Sequence, residues 1–281
     1  MKTIRTIAEL RAALARAPRP VGLVPTMGCF HDGHLSLMRA ARAQNATVVV
    51  SLFVNPAQFG PNEDLAAYPR DERSDVQLAE AEGVDFLFAP AAEEVYPDGF
   101  DTAVEVGGLT GPLDGAARPG HFKGVTTVVT KLFNIVAPDA AYFGQKDAQQ
   151  ALVIHKLVRD LNVPVRIEVC PTVRDPDGLA MSSRNAYLSP EERERALALS
   201  RALRAAEQTV QLGEVDAAAV IGAARGELDA AGIEPEYLEL RSARDLSPAE
   251  RVNGTTLLAV AARVGRARLI DNTMLKGRGT Q

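Results

Sequence analysis

Three features are scarce in this sequence: cysteine, excess charge of one sign and long apolar runs. The chain of 281 residues has two cysteines, Cys29 and Cys170, which are too few for a disulfide framework or a cysteine-rich zinc site. No stretch approaches the roughly 20 apolar residues that cross a bilayer, and no apolar signal core follows Met1. We therefore expect a protein of the reducing cytoplasm that does not enter a membrane.

The charge balance is nearly even. Acidic residues number 36 and basic residues 31, which leaves a formal net charge of −5. A surface with this balance has no general attraction for polyanions, so we expect no nucleic-acid partner, and any basic site must be local. Hydrophobic residues make up 46% and charged residues 24% of the chain, which excludes the disordered and low-complexity classes.

Short apolar runs alternate with segments of helical period in the first part of the chain. The apolar runs predict buried strands at 21–25, 48–54, 84–89, 140–144 and 165–169. The helical periods lie at 7–17, 35–44, 71–82, 125–136 and 147–161. A further short strand is predicted at 102–106, in a stretch rich in turns. The alternation predicts a Rossmann-like α/β domain over 1–172, with a parallel sheet and ligands at the carboxyl ends of its strands.

The pattern changes after residue 172. Ser189 and Pro190, followed by two glutamates, are typical of a helix N-terminus, and the helix they begin should extend to about residue 210. A second helix is predicted at 215–231, and candidate strands follow at 237–241, 255–264 and 267–270. We therefore predict a smaller α+β domain over 173–281.

The segment 25–34, PTMGCFHDGH, lies directly between a predicted strand and a predicted helix. The unpaired N–H groups and positive dipole of a helix N-terminus favour anions, and Gly28 and Gly33 allow close backbone approach. His31 and His34 could donate hydrogen bonds to phosphate oxygens there. The alternative is that both histidines only cap and pack the helix start; a zinc site lacks further ligands nearby in sequence.

Two more polar segments follow predicted strands. Gly144, Lys146 and Asp147 offer a cation for phosphate and a carboxylate for ribose hydroxyls, although Asp147 could simply cap a helix. The Ser-Ser-Arg loop, 182–184, offers two hydroxyls and a guanidinium as a phosphate clamp, although it could be a solvated turn.

Neutral amides are predicted near the same edge of the sheet. Asn55 and Gln58 follow the strand at 48–54, and Gln149 and Gln150 lie in the first turn after Asp147. An amide can bind a small hydroxy-acid and leave the charge of its carboxylate intact, whereas an arginine would neutralise that charge. Surface solvation is the alternative for each of them.

The H-x-G-H loop and the Ser-Ser-Arg loop together resemble the HxGH nucleotidylyl-transferase superfamily, and within it the sequence resembles the pantothenate synthetase (pantoate–β-alanine ligase) family. The resemblance extends over essentially the whole chain and includes motifs specific to that family. The matching segments are PTMGCFHDGH at 25–34, FVNPAQF at 53–59, YPRDERSD at 68–75, RPGHFKGV at 118–125, FGQKDAQQ at 143–150, DGLAMSSRN at 177–185 and RLIDN at 268–272.

The resemblance implies an AMP-forming ligase that joins pantoate to β-alanine through a pantoyl-adenylate. Catalytic roles are implied for His31, His34, Lys146 and Arg184. ATP contacts are implied for Met27, His34, Gly144, Lys146, Asp147, Val173, Ser182, Ser183 and Arg184. Pantoate contacts are implied for Met27, Gln58 and Gln150, and the β-alanine side for Asn55 and Tyr68.

The resemblance also implies ATP as a substrate, Mg²⁺ with Asp75 as its candidate ligand, and a homodimer. Because the polar loop 182–184 at the domain junction has little apolar contact to hold it, the C-terminal domain is predicted to act as a lid that closes with ATP. Ser74 stands where the family often has a second acid, which leaves the magnesium ligand open. Cys29, Phe30 and Lys123 also depart from the family pattern. The rival functions are an adenylyltransferase that stops at a stable nucleotidyl product and a nucleotide-binding regulatory module without turnover.

Overall fold

The computed structural model describes residues 1–61 and 63–277, and the contacts divide the chain into two compact units. The first unit comprises Met1–Thr110, Asp114–Gln145 and Gln149–Pro171. The second comprises Gly111–Leu113, Lys146–Ala148 and the chain from Thr172 onward. The division at Thr172 lies one residue from the predicted boundary. Lys146 and Asp147 fall within the predicted first domain but group with the second unit.

The first unit contains a six-stranded sheet in the order β1-β4-β3-β2-β5-β6, with every neighbouring pair parallel. The predicted Rossmann-like parallel sheet is therefore confirmed. Continuous runs of Val, Leu and Phe suit strands that helices bury on both faces. The strands are β1 (Lys2–Ile4), β2 (Val21–Thr26), β3 (Thr47–Leu52), β4 (Phe86–Phe88), β5 (Ala140–Gly144) and β6 (Arg166–Cys170).

Helices connect these strands and cover the sheet. A buried cluster between helix and sheet contains Val24, Met38, Val50, Leu87 and Tyr142. The helices are α1 (Ile7–Leu14), α2 (Asp32–Gln44), α3 (Glu72–Ala81), α4 (Ala92–Val95), α5 (Asp114–Ala117), α6 (His121–Val136) and α7 (Ala148–Asp160).

The strand order reverses between β2 and β5. From β2 the chain proceeds outward through β3 to β4, whereas β5 lies on the other side of β2 and leads to β6. In open parallel sheets, ligands bind outside the carboxyl ends of the strands at such a reversal. The loop that carries His31 follows β2, and Gly144 ends β5. The topology thus brings the beginnings of two predicted motifs to the same edge of the sheet.

Several local predictions differ from the structure, among them three in the first unit. The segment 102–106 is not a strand, because Val104 donates its N–H to the Thr127 hydroxyl at 3.0 Å and accepts a hydrogen bond from the Thr126 hydroxyl. These side chains take the place of a neighbouring strand. The edge strand β1 was not predicted, and α6 begins four residues earlier than its apolar period indicates, at His121.

The second unit has two helices and a three-stranded antiparallel sheet, which confirms the α+β prediction. The Ser189 side chain accepts from the N–H of Glu192, while the Glu192 carboxylate accepts from the N–H of Ser189, so a capping box begins the first helix. The elements are α8 (Pro190–Gln211), α9 (Ala217–Ala230), β7 (Pro235–Ser242), β8 (Thr255–Val264) and β9 (Ala267–Lys276).

Within residues 1–61 and 63–277, no helix is both long enough and apolar enough to cross a bilayer.

Gly124 marks a close contact that the first unit requires. It lies in α6, which packs against a 3₁₀ turn formed by Pro56–Gln58. A Cβ atom at this position would lie 2.2 Å from the carbonyl oxygen of Ala57 and 2.6 Å from the Cα of Gln58. Glycine is therefore needed here for space, since both neighbours are backbone atoms that cannot rotate away.

We expect Gly124→Ala to lower the free energy of unfolding by about 1–3 kcal/mol, because the turn must move to admit a methyl group. Gly226→Ala is the matched control, since Gly226 lies within α9 and no atom of the described residues comes within 4 Å of an added Cβ. Alanine there should stabilise the protein by about 0.5–1 kcal/mol. Urea unfolding of both variants checks the pair; equal effects would contradict the steric explanation.

Candidate active site

The loop between β2 and α2 turns sharply at two consecutive residues. Gly28 has φ +85° and Cys29 has φ +53°, both in the left-handed region. A Cβ at Gly28 would lie 2.5 Å from the Leu52 side chain and 2.9 Å from an Asp75 carboxylate oxygen, so the position also needs glycine for space. The turn directs the backbone N–H groups of Cys29 and Phe30 toward α3.

Asp75, on α3, accepts both of these N–H groups. Its Oδ2 accepts from Cys29 at 2.8 Å, and its Oδ1 accepts from Phe30 at 2.6 Å. The side chain is buried, and burial raises the pKa of the carboxyl group against the opposing effect of the two hydrogen bonds. Asp75 thus fixes the loop that leads to His31, a role that the sequence analysis missed.

His31 and His34 form a reciprocal cap at the start of α2. The Nδ1 of His31 accepts from the N–H of Gly33 at 3.2 Å, and the Nδ1 of His34 accepts from the N–H of His31 at 3.4 Å. In a neutral imidazole, an accepting Nδ1 places the proton on Nε2. Each ring therefore carries an Nε2–H donor on its far side, and the ring centroids are 4.2 Å apart. Capping and ligand binding are compatible functions of these histidines.

The 3₁₀ turn after β3 positions Gln58 beside Met27. The Gln58 Nε2 lies 3.2 Å from the Met27 sulfur, so the structure brings these two predicted pantoate residues together. Asn55 is buried and hydrogen-bonded to Gln58, to the backbone of Gly124 and Ala57, and to the Tyr96 hydroxyl. Three of these partners hold the Asn55 side chain in place, and through the fourth bond Asn55 holds the Gln58 side chain.

A buried polar cluster holds the backbone of Gln58. Arg118 can only donate, so the His121 Nε2 facing it at 3.0 Å is an acceptor, and the His121 Nδ1–H donates to the Gln58 carbonyl at 2.9 Å. Burial is the main cause that lowers the pKa of His121 to about 4. Glu63 accepts two hydrogen bonds from Arg118 at 2.7 Å, and this partner outweighs burial and lowers the pKa of Glu63 to about 2.

The two neighbouring amides Gln149 and Gln150 have different environments. Gln149 is buried and binds backbone groups, since its Nε2 donates to Leu109 at 2.8 Å and its Oε1 accepts from Asp114 at 3.0 Å. Gln150 lies half-buried in the first turn of α7. Of the pair, Gln149 therefore has a structural function, and Gln150 stays the predicted ligand residue.

Tyr68, predicted on the β-alanine side, is largely buried. Its ring packs edge-to-face with Phe59, with centroids 5.8 Å apart. Phe59 directly follows Gln58, so Tyr68 packs beside the turn that carries the amide.

A cavity of about 240 Å³ lies beside the His31 loop in the first unit. Of the predicted site residues it includes Met27 and Asp75. The lining residues are Met27, Gly28, Leu52, Phe53, Val54, Arg70, Asp71, Glu72, Asp75, Pro90 and Ala92.

In the second unit, Lys146 and Ser182 line one small cleft together with Asp271. Asp147 places a carboxylate oxygen 3.6 Å from the Lys146 ammonium, and the Asn272 side chain donates to the Lys146 carbonyl at 2.8 Å. The structure thus brings the predicted lysine and a serine of the Ser-Ser-Arg loop together, although they lie far apart in sequence.

The Ser-Ser-Arg loop is itself ordered by local hydrogen bonds. The Ser182 Oγ accepts from the N–H of Arg184 at 3.3 Å and caps a 3₁₀ turn, Ser183–Tyr187. Val173, the predicted adenine contact, accepts from the N–H of Met181 at 3.0 Å. Two buried atoms in this part of the sequence, Thr172 Oγ1 and Asn185 Oδ1, have no hydrogen-bond partner in the described structure. Such atoms need a partner, and a water or a bound ligand would provide one.

Arg174 forms a paired contact that sequence reasoning did not find. Its two terminal nitrogens lie 2.6 and 3.0 Å from the carboxylate oxygens of the buried Asp271. This bidentate ion pair joins the start of the second unit to β9. Both residues lie in or beside segments quoted for the family resemblance, but no sequence signal shows that they are partners.

The described residues contain no group of three or more His, Cys, Asp or Glu side chains arranged to hold a metal ion. Magnesium, however, is often held by substrate phosphates with only one or two carboxylates. The donor set therefore fits an ion that arrives with a nucleotide. Asp75 as its ligand stays a prediction, since each oxygen of that carboxylate already accepts one N–H.

A family model described as pantoate-beta-alanine ligase matches residues 2–274 of the chain. The pantothenate synthetase of Moorella thermoacetica is 56% identical, over 98% of this chain and 99% of the relative. The solved pantothenate synthetase of Thermus thermophilus has a TM-score of 0.94 and 49% identity, covering 97% of this chain and 99% of that chain. The pantoate-beta-alanine ligase of Francisella tularensis, solved with beta-gamma ATP and beta-alanine, has a TM-score of 0.82 and 34% identity, covering 98% of this chain and 97% of that chain.

Stability should depend on pH through His121. The folded chain holds the pKa of His121 at about 4, below its ordinary value of 6.5, so the unfolded chain binds an additional proton between these pH values. The free energy of unfolding is therefore expected to fall by up to about 3 kcal/mol as pH drops from 6.5 toward 4. Urea unfolding at a series of pH values measures this slope.

His121→Gln is the control for this prediction. The glutamine amide can donate to Gln58 and accept from Arg118, but it does not titrate. The variant should have a flatter pH dependence between 6.5 and 4, and an unchanged slope would show that another group is responsible.

Proposed function

Because the chain belongs to the pantoate–β-alanine ligase family, we propose that it joins pantoate to β-alanine at the expense of ATP, and that the residues described above do this chemistry. The products are pantothenate, AMP and pyrophosphate. The observation that carries the proposal is the paired histidine cap, which directs two Nε2–H donors from a helix N-terminus at the reversal point of the sheet.

The first step activates the carboxylate. A carboxylate oxygen of pantoate attacks the α-phosphorus of ATP, an oxygen–phosphorus bond forms, and the bond to pyrophosphate breaks with its electron pair. Negative charge grows on the phosphate oxygens, and fixed donors stabilise such charge in a site that excludes water. We assign the phosphates to His31 and His34 in the first unit and, on the family resemblance, to Lys146 and the loop 182–184 in the second.

The remaining nucleotide contacts also follow from the resemblance. Gly144 and Asp147 would take the ribose, and the backbone near Val173 would meet the adenine. Gly144 ends β5, Asp147 lies in the 3₁₀ turn directly after it, and Val173 follows the end of β6 by three residues, all at the carboxyl side of the strands, where such contacts are common.

Neutral groups suit the pantoate site. Gln58 and Gln150 can hold the acid by hydrogen bonds, and Met27 provides an apolar wall. A cation in contact with the carboxylate would stabilise the ground state and lower its nucleophilicity, whereas an amide leaves the attacking oxygen reactive. The protein contributes alignment to this step, and it needs no covalent nucleophile because the pantoate carboxylate itself attacks the phosphorus.

The second step forms the amide. The amine of β-alanine, once it has lost its ammonium proton to solvent, attacks the acyl carbon of pantoyl-adenylate. The carbon–nitrogen bond forms, the nitrogen loses a second proton to solvent, and the carbon–oxygen bond breaks with its electron pair leaving on AMP. We place Asn55 and Tyr68 on the β-alanine side, and Asn55 would also position Gln58 of the pantoate site.

Magnesium would bind with ATP and neutralise part of the triphosphate charge, with Asp75 as the candidate protein ligand.

We expect the enzyme to work in the reducing cytoplasm. Its two cysteines, Cys29 and Cys170, form no disulfide in the described structure. A homodimer is expected from the family resemblance.

The deciding experiment measures AMP release from ATP with pantoate, β-alanine, both or neither. We expect stoichiometric AMP and pantothenate only when both acids are present. A nucleotidyl product that accumulates without β-alanine and is not consumed on its addition would indicate an adenylyltransferase. Nucleotide binding without any turnover would indicate a regulatory module.

The roles of His31 can be separated by substitution. In His31→Asn the side-chain oxygen still caps α2, so stability should change by no more than about 0.5 kcal/mol. The outward Nε2–H donor is lost, and formation of pantoyl-adenylate in single turnover should slow by about 100- to 1000-fold. A rate close to that of the parent protein would mean that this histidine only caps the helix.

Asp75→Asn tests the carboxylate that holds the loop. An amide offers one acceptor where two N–H groups need one each, so the loop should shift and the adenylation rate should fall by at least about tenfold. Asp71→Asn is the control on the same helix end, because the Asp71 side chain accepts the N–H of Ser74 as the cap of α3 and asparagine caps equally well. Equal rates in the two variants would contradict this role of Asp75.

A further inference from the structure

Tyr96 lies outside every residue assigned above to a substrate, yet it ends a chain of hydrogen bonds that reaches Gln58. Its hydroxyl lies 2.7 Å from the Asn55 Oδ1, and the Asn55 Nδ2 lies 3.1 Å from the Gln58 Oε1. We propose that Tyr96 is a positioning residue: through Asn55 it holds Gln58 with its amide NH₂ directed at the acid substrate. This inference rests on the proposed function for the identity of that substrate.

The donor and acceptor directions in this chain of hydrogen bonds follow from backbone groups that can only donate or only accept. The N–H of Ala57 can only donate, and it lies 3.3 Å from one side-chain atom of Asn55, which must be the oxygen. The carbonyl of Gly124 can only accept, and it lies 3.2 Å from the other atom, which must be the nitrogen. The backbone on both sides thus fixes the orientation of the Asn55 amide.

The orientation of Asn55 then determines its two neighbours. Tyr96 meets the oxygen of Asn55 and must donate its hydroxyl proton. Gln58 meets the nitrogen of Asn55 and must present its Oε1 there, so its Nε2 points away, toward the Met27 sulfur at 3.2 Å. Thioether sulfur is a weak acceptor, and a substrate oxygen would be a better one. Gln58 therefore selects a ligand group that accepts: a hydroxyl, carbonyl or carboxylate oxygen.

Tyr96 is well suited to be a permanent donor. Burial raises its pKa to about 12, so the phenol keeps its proton throughout the working range of pH. Its ring lies against Phe53 and Phe100, with centroids 6.2 and 5.1 Å away. The Lys131 ammonium lies 5.5 Å from its ring centroid. The aromatic contacts fix the ring, and the ring fixes the hydroxyl.

The experiment compares Tyr96→Phe with Tyr142→Phe in steady-state assays. The phenylalanine at 96 keeps the ring and removes only the hydroxyl, so the KM for pantoate should rise by about tenfold, while kcat changes by less than about threefold. The KM for ATP should not change. Tyr142 is a buried tyrosine in β5 whose hydroxyl accepts from Asn45 at 2.7 Å in the core, and its variant should have the parent KM for pantoate.

A double mutant separates positioning from a general structural effect. If Tyr96 acts through Gln58, Tyr96→Phe added to Gln58→Ala should have almost no further effect on pantoate binding. Independent, multiplying effects of the two substitutions would overturn the proposal, as would an unchanged KM for pantoate in Tyr96→Phe alone.

A readout without turnover keeps this inference distinct from the proposed function. The side-chain amide resonances of Gln58 can be assigned by their loss in Gln58→Ala, and they should shift in Tyr96→Phe and not in Tyr142→Phe. Unshifted resonances would overturn the positioning role whatever the substrate is. If the Gln58 resonances shift as expected but the protein does not convert pantoate, the positioning role holds and the proposed function is wrong.

Discussion

The candidate site depends on the contact between one buried carboxylate and a left-handed turn. Gly28 and Cys29 reverse the chain after β2, and Asp75 accepts the two N–H groups that this reversal exposes. Without the carboxylate, one buried and one partly buried N–H would lose this acceptor, and the cost of each would be comparable to that of a lost hydrogen bond. The position of α2, and with it the direction of both histidines, follows from this contact.

Much of the site is built from neutral or neutralised groups with fixed donor and acceptor directions. The two histidines have their tautomer set by backbone N–H groups, and Asn55 has its amide set by backbone on both sides. Buried polar groups of this kind are costly when unpaired and rigid when satisfied. A carboxylate that must attack phosphorus benefits from such an arrangement, because it is oriented by hydrogen bonds and is not neutralised.

The cluster around His121 shows how a charged residue, Arg118, can help to hold Gln58 without placing net charge beside it. Arg118 pairs with Glu63 and at the same time donates to a histidine that stays neutral because it is buried. The cluster thus presents one N–H to the Gln58 carbonyl and places no net charge beside the amide. Gln58 is therefore held at its backbone by this cluster and at its side chain by Asn55, from two independent sets of contacts.

Local chemistry was enough for most of the elements and for the placement of the motifs. Apolar runs, helical periods and the Ser189 cap depend on neighbours in sequence, and the place of the His31 loop between a strand and a helix follows from the same local patterns. The partner of each motif depends on residues distant in the chain. Three contacts follow only from the packing of α3, α4, α6 and β9: Asp75 meets the His31 loop, Tyr96 reaches Gln58 through Asn55, and Arg174 pairs with Asp271. In another register the same side chains would not meet these partners.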